Sequence, residues 1–290
     1  MGVYLHTSSS FEIPDGMATA TKRQLSPEHL AALQGGLKAS GNGGQAGVKL
    51  GRERALRALQ WVYVWGWSAP SIIDNLAQSS RKGLTARLVR QGLLKQHRTP
   101  AGGGVRDVPI YMLTLTKLGE SEVVRHIDDV NDLIPYAPRV AWPQMRHDFI
   151  VQKLTLLAMQ SDQLMVRSIK TDMVVRAKGA KGKIHDAVWT DEYQIRTFVE
   201  VELTPKKNRE LEMFVFGCYC HLRDDVDSRL RIYSDSNALL EHYKERFEPY
   251  ASGNLWQLDK HRHWEANGEF EIPPEVAARV SFHHLDDELS

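Results

Sequence analysis

The stretch from Lys183 to Lys207, KIHDAVWTDEYQIRTFVEVELTPKK, constrains the fold more than any other part of the chain. Two runs rich in β-branched and aromatic residues flank a polar tight connection, Asp191 to Gln194. They predict one strand over 184–190 and a second over 195–203. Thr204 and Pro205 then predict a helix start, with Thr as cap and Pro at the first helical position. Asp186 falls in the first strand, and Glu200 and Glu202 fall in the second. Two apart in a strand, the glutamates share a face. Their neighbours Phe198, Val199, Val201 and Leu203 mark that strand as central and buried. Carboxylates on a buried strand are costly unless something pairs with them. Three of them converging, with Lys206 and Lys207 following, point to an oxygen-lined site for a hard divalent cation, Mg²⁺ or Mn²⁺.

The 290 residues suffice for two domains, and 42% hydrophobic with 25% charged residues is ordinary for a globular chain. A net charge of +1 carries no nucleic-acid signal by itself. The distribution is uneven, however: the first hundred residues are basic and acid-poor, and the end, 285–288, is acidic. With only two cysteines, Cys218 and Cys220, a disulfide framework is excluded and a reducing cytoplasm is the expected compartment. No apolar run reaches membrane-spanning length, so no membrane association is expected.

Residues 1–48 show little periodicity, and the run 35–47 has linker composition. From 49 to 127 the pattern predicts helices over 52–65, 71–78 and 81–91, the third capped by Ser79 and Ser80 and ended by Gly92. A strand over 93–98, a glycine turn, a return strand over 108–115 and a helix over 116–126 follow. Residues 128–143, with their prolines, form a connector. A second domain, 144–260, reads helix (144–160), strand (164–170), the two carboxylate strands, helix (205–223), strand (230–234), helix (237–247) and a short strand (255–258). Residues 261–290 are an extension, with a helix expected near 275–280.

The order helix, helix, helix, hairpin, helix, carried by LVRQGLLKQHR, the Gly102–Gly104 turn and YMLTLTKLGE, resembles the winged helix-turn-helix family. That resemblance implies a third helix in the DNA major groove, with Arg81, Lys82, Arg87 and Arg90 meeting DNA, and Lys95, Arg98 and Arg106 near the wing. Lys178, Lys181 and Lys183 crowd a glycine-containing loop suited to phosphate approach.

Asp186 followed by Glu200-Val201-Glu202 in this element order resembles the PD-(D/E)XK nuclease superfamily, an αβββαβ restriction-endonuclease-like fold. Two departures stand out: Ile184-His185 precedes Asp186 where proline is usual, and Glu202 stands where lysine is commonest. The whole chain is similar to the replication-relaxation proteins and MOBC relaxases of mobilisable plasmids. The match rests on RHDFIVQKL with His147, and on Glu-Val-Glu followed by Lys206. The resemblance implies a site-specific nickase at an origin of transfer, acting on double-stranded and locally single-stranded DNA, with relaxosome partners. A homodimer is a further expectation. Asp186, Glu200 and Glu202 would hold the metal and Lys206 would stabilise phosphoryl charge. The tyrosine expected shortly after the lysine is replaced by Glu210 and Leu211, leaving Tyr219 and Tyr233 as substitutes.

Competing readings remain. Glu200 or Glu202 pairs with Lys206, Lys207 or Arg209 as a salt bridge. The protein is a non-catalytic DNA-binding regulator, or a double-strand endonuclease. His185 alternates to the strand face opposite Asp186, and Cys218 and Cys220 pack a helix. His261-Arg262-His263 lacks the apolar residue that a metal-binding His-apolar-His relaxase motif needs.

Overall fold

The computed structural model describes residues 45–77, 83–100, 103–127, 136, 140–161, 164–179 and 182–289, within a compact unit from Gly43 to Ser290. The expectations for residues 1–44, for the Ser79-Ser80 cap, for Arg81, Lys82 and Lys181, and for most of the 128–143 connector lie outside the described residues. The chain is mixed α+β. No helix among the described residues is long and apolar enough to cross a membrane.

Helix α1 (Gln45–Trp65) starts seven residues before the expected Arg52, inside the linker-like run. Its last two turns bury Ala58, Leu59, Trp61, Val62, Tyr63 and Trp65, and tertiary packing of that kind outweighs local composition. Helix α2 (Pro70–Leu76) opens on its proline. Helix α3 (Leu84–Arg90) begins after Gly83, whose φ of 106° is left-handed, and the Asp74 carboxylate of α2 accepts from the Thr85 N–H at 2.9 Å. Gly92, at φ 69°, turns the chain out of α3. Strands β1 (Leu94–Arg98) and β2 (Tyr111–Leu115) form an antiparallel hairpin. The second starts three residues later than expected, because Pro109 offers no N–H to the ladder. Ser68 adds an isolated bridge to Leu113. Helix α4 (Lys117–Val124) is capped by Thr116, whose hydroxyl accepts from the Gly119 N–H at 3.1 Å. Gly119 also has no room for a side chain: a Cβ there would stand 2.1 Å from the Leu93 carbonyl oxygen.

The second half is built on a five-stranded sheet of order β3 (Val166–Thr171), β4 (Ala187–Asp191), β5 (Arg196–Val201), β6 (Arg229–Ser234) and β9 (Val280–His284). Helix α5 (Met145–Gln160) leads into β3 (Val166–Thr171), and a short helix α6 (Asp172–Ala177) that the sequence pattern missed follows at once. Thr171 caps α6 by accepting from the Val174 N–H. Then come β4 (Ala187–Asp191), β5 (Arg196–Val201), α7 (Asn208–Asp224), β6 (Arg229–Ser234) and α8 (Asn237–Arg246). β4 runs antiparallel to both its neighbours, β3 and β5, whereas β5, β6 and the tail strand β9 pair in parallel. Phe198 faces α7 and α8 in a core with Phe214, Cys218, Leu222 and Tyr243. Val199 and Val201 alternate to the other side of the sheet.

The tail is more ordered than its sequence suggests. Strands β7 (Ser252–Leu258) and β8 (Trp264–Glu271) make a separate hairpin, with the His261-Arg262-His263 run at its tip. Helix α9 (Pro274–Ala277) leads to β9 (Val280–His284), which pairs with β6 as a full member of the sheet, and α10 (Leu285–Glu288) follows. Tail residues alternate poorly because β8 is largely solvent-facing and β9 is half-buried throughout.

A buried amide ties the two halves together. Gln152 of α5 is fully buried; its carbonyl accepts from Trp61 Nε1 (3.1 Å) and Ser68 Oγ (2.7 Å), and its NH₂ donates to the Trp67 carbonyl (3.1 Å). The Thr171 hydroxyl donates to the Val64 carbonyl at 2.7 Å, joining β3 to the end of α1.

Candidate active site

The carboxylates gather where β5 ends and β4 begins. Asp186 stands one residue before β4, not inside it, and Glu202 stands one residue past β5. The backbone pairing continues through both: the Asp186 N–H donates to the Val199 carbonyl and the Glu202 N–H to the Tyr233 carbonyl. The expected helix at Thr204-Pro205 does not start there. Lys206 reaches back to the Glu202 carboxylate, and the helix begins at Asn208. This is also the carboxyl end of parallel β5 and β6, where open α/β sheets place their ligands.

Each carboxylate has its own cation. The Asp186 carboxylate accepts from the Val201 N–H at 2.8 Å and from His147 Nε2 at 3.1 Å. His147 Nδ1 lies 3.1 Å from Asp148. Burial alone would lower the His147 pKa, but Asp186 and Asp148 outweigh it and raise the imidazole to about 11. His147 is therefore held toward its imidazolium form, and its Nε2 contact orients the Asp186 carboxylate. Burial pushes Asp186 up, and the His147 charge, Lys183 and the Val201 N–H pull it below the usual range.

Glu200, 2% exposed, has Lys183 Nζ and His185 Nδ1 each 2.5 Å from Oε1. Burial, then repulsion from Asp186, raises it to about 8 against the pull of Lys183. Burial works to lower Lys183, and Glu200 outweighs it, keeping the ammonium charged. Gly217 of α7 makes room for Lys183: a Cβ there would lie 2.6 Å from the lysine Cβ. Glu202 uses both oxygens, Oε1 toward Lys206 and Oε2 accepting from the Tyr243 hydroxyl at 3.0 Å. Burial raises its pKa, and Lys206 opposes the shift. The two ammonium groups flank one aromatic ring, Lys183 Nζ 4.8 Å and Lys206 Nζ 4.6 Å from the Phe214 centroid.

Several expected members are elsewhere. Tyr219 stacks on Phe270 with centroids 6.1 Å apart. Tyr233 is paired with Val201 in register, so it shares that face of the sheet and not the Glu200 face. It is 1% exposed, stacked 5.0 Å from His283, and burial raises its hydroxyl to about 12. Neither tyrosine reaches the carboxylates. The tyrosine that does is Tyr243, missed from sequence because it lies 41 residues from Glu202. Lys183, expected on a DNA-contacting loop, belongs to the carboxylate cluster. His185, expected on the opposite face, lies on the Glu200 side, because the strand begins only at Ala187 and alternation does not extend back to it. It stacks on Phe198 at 4.4 Å, and its Nε2 lies 2.7 Å from His221 Nδ1. Burial, then Lys183, lowers His185 to about 3, so the ring is neutral.

The expected DNA-contacting cations also divide. Lys95 and Arg98 are exposed on β1, and Lys178 is exposed after α6. Arg90 is exposed and bonds its own helix at the Ala86 carbonyl. Arg87 donates to the Gly51 carbonyl at 3.2 Å, tying α3 to α1. Arg106 pairs with Asp286 and lies 3.5 Å from Asp107, so the acidic 285–288 segment takes up a cation from the β1–β2 connection.

A divalent cation shared by Asp186 and Glu200 would meet a Glu200 oxygen already held by Lys183 and His185, although repulsion from Asp186, second only to burial in raising Glu200, is a charge that such an ion would offset. Glu202 does not fit, since a lysine and a tyrosine hydroxyl take both its oxygens. Among the described residues, the group of three whose ligand atoms lie within 4.8 Å of one another is His185, Glu200 and Cys218. Its thiol is pushed well above its ordinary pKa by burial, and Lys183 already occupies the same Glu200 oxygen, which disfavours a thiolate-bound metal. No protein-family model, no curated protein and no solved structure matches this chain.

Proposed function

We propose that the chain is a metal-dependent DNA nickase, in which a winged-helix-like segment (49–127) locates duplex DNA and a PD-(D/E)XK-like domain cuts one strand. The observation that carries this reading is the gathering, at the carboxyl end of β5, of two repelling carboxylates, Asp186 and Glu200, with Lys183 on Glu200 and Lys206 on the neighbouring Glu202. Asp186 and Glu200 would hold Mg²⁺ or Mn²⁺. Such an ion supplies Lewis acidity toward a phosphate oxygen and lowers the pKa of a bound water.

The remaining roles fall to this chain's own residues. His147, as an imidazolium, fixes the Asp186 carboxylate. Lys183, on the floor of the site, and Lys206, at its rim, place positive charge against the phosphoryl oxygens, where displacement at phosphorus gains most from fixed electrostatics. Glu202 and Tyr243 orient Lys206. The reading favours hydrolysis over a tyrosyl intermediate, because Tyr219 and Tyr233 lie away from the carboxylates. A transfer origin as target, and relaxosome partners, rest on the resemblance alone.

A second reading, a non-catalytic DNA-binding regulator, is favoured by the near-complete burial of Glu200 between Lys183 and His185. Supercoiled plasmids with and without a transfer origin, incubated with Mg²⁺ or Mn²⁺, separate the two. Open circles lost in Asp186→Asn and Glu200→Gln support the nickase. Duplex binding by a folded protein with no cleavage in either metal leaves the regulator, and linear product indicates a double-strand endonuclease.

A further inference from the structure

Beside the carboxylate cluster a cleft of about 740 Å³ opens between the 203–212 segment, helix α8 and strand β7. That volume lies within the ~300–1,000 Å³ of small-molecule sites. Its cationic lining is Lys206, Lys207, Arg209 and Arg246, against a single carboxylate, Glu212. Glu212 does not neutralise the cleft by pairing with those cations: its oxygens accept from Asn254 Nδ2 at 3.1 Å and Trp256 Nε1 at 2.6 Å. Arg209 is held over the Trp264 ring at 5.0 Å, and its buried Nε has no hydrogen-bond partner among the described residues. Lys207 and Arg246 are exposed and form no ion pair among the described residues. Helix α7 begins at the cleft without a side-chain cap among the described residues, which brings the positive end of its dipole to the lining.

The lining also includes apolar groups: Leu203, Pro205, Leu239 and the Trp256 indole. The Glu212 hydrogen bond fixes that indole in place. A lining that combines several cations with a fixed indole matches a ligand with a phosphate at one end and a flat heterocycle at the other.

We propose that this cleft binds a nucleotide unit, its phosphate against Lys207, Arg209 and Arg246 and its base against Trp256. The choice of ligand rests on the DNA reading above; the binding itself does not require cleavage. The unit is either a free mononucleotide or the phosphorylated end of a DNA strand held next to Lys206.

The test uses the full chain in metal-free buffer with EDTA, followed by tryptophan fluorescence and calorimetry. The probes are dAMP, deoxyadenosine, inorganic phosphate, and a single-stranded hexanucleotide with and without a 5′-phosphate. A phosphate-bearing nucleotide binds at least tenfold more tightly than deoxyadenosine, and the double variant Lys207→Ala/Arg246→Ala loses at least tenfold. Arg246→Gln alone, at a solvent-exposed position, gives a smaller loss in the same direction. A gain from the 5′-phosphate of the hexanucleotide identifies the strand end as the source; binding of dAMP alone identifies the free nucleotide. Equal affinity for dAMP and deoxyadenosine, or unchanged affinity in variants that melt like the parent, overturns the proposal. Plasmid nicking by a parent that binds no nucleotide in this assay overturns the cleft and leaves the nickase standing. Nucleotide binding without nicking does the reverse.

Discussion

Two polar clusters lie in the interior of this protein, and they are built on opposite principles. At the junction of the halves, Gln152 is neutral and fully buried, and its carbonyl and amide find partners in Trp61, Ser68 and Trp67. At the carboxyl end of β5, Asp186 and Glu200 repel each other, Lys183 and Lys206 hold the cluster together, and pKa values are driven apart. A buried network with every group satisfied fixes geometry. Carboxylates kept close against their own repulsion are held at a cost in stability, and perturbed titrations concentrate at functional sites. The contrast separates a structural polar core from a candidate chemical one.

The sharpest way to break it is to damage each cluster and ask which property fails. Gln152→Leu leaves two buried donors and a carbonyl without partners, each costing about 1–3 kcal/mol. The expected loss is roughly 4 kcal/mol of unfolding free energy by urea titration, with the nicking rate per folded molecule unchanged. Asp186→Asn reverses the pattern: nicking falls at least about 100-fold, equivalent to roughly 2.7 kcal/mol of barrier, while stability shifts by less than half as much. Gly119→Ala forces a Cβ against the Leu93 carbonyl and costs about 2 kcal/mol or more, measured by the denaturant midpoint, because backbone cannot yield as a side chain can.

The titrations sharpen the comparison further. The folded state holds the Glu200 proton more tightly than the unfolded chain, with a pKa of about 8 against 4.5. Its contribution to stability is therefore full below pH 4.5 and is lost as pH rises toward 8. Glu200→Gln flattens that part of the melting-temperature profile, and an unchanged slope would contradict the assignment. His147 acts in the same direction across a higher window, its folded pKa raised from 6.5 to about 11. Stability from its pairs is complete below pH 6.5 and declines above it. His147→Gln removes that decline, the smallest effect of the set because the side chain is partly exposed and screened.

The amino-acid sequence determined much of the local structure. Alternation in Phe198–Glu202 marks a central strand with both glutamates on one face, Gly92 ends α3, and the helix, helix, helix, hairpin, helix order of residues 45–124 is carried by period and punctuation. The fixed pleat of a strand and the rigid preferences of Gly and Pro act over a few residues, so they are legible without a fold.

Only the tertiary structure decided which charges meet. Lys183 went to Glu200 instead of a DNA-facing loop because Gly217 of α7 leaves space for it. Arg106 went to Asp286, 180 residues away, and Tyr243 to Glu202 across two helices. The His185 side chain departed from strand alternation because β4 starts after it. The tail supplied β9 to the sheet edge despite weak alternation, since parallel pairing with β6 supplies hydrogen bonds that the sequence pattern does not advertise. Long-range pairing depends on where the chain returns in space, and a long flexible side chain near a strand end has several partners within reach until packing removes all but one.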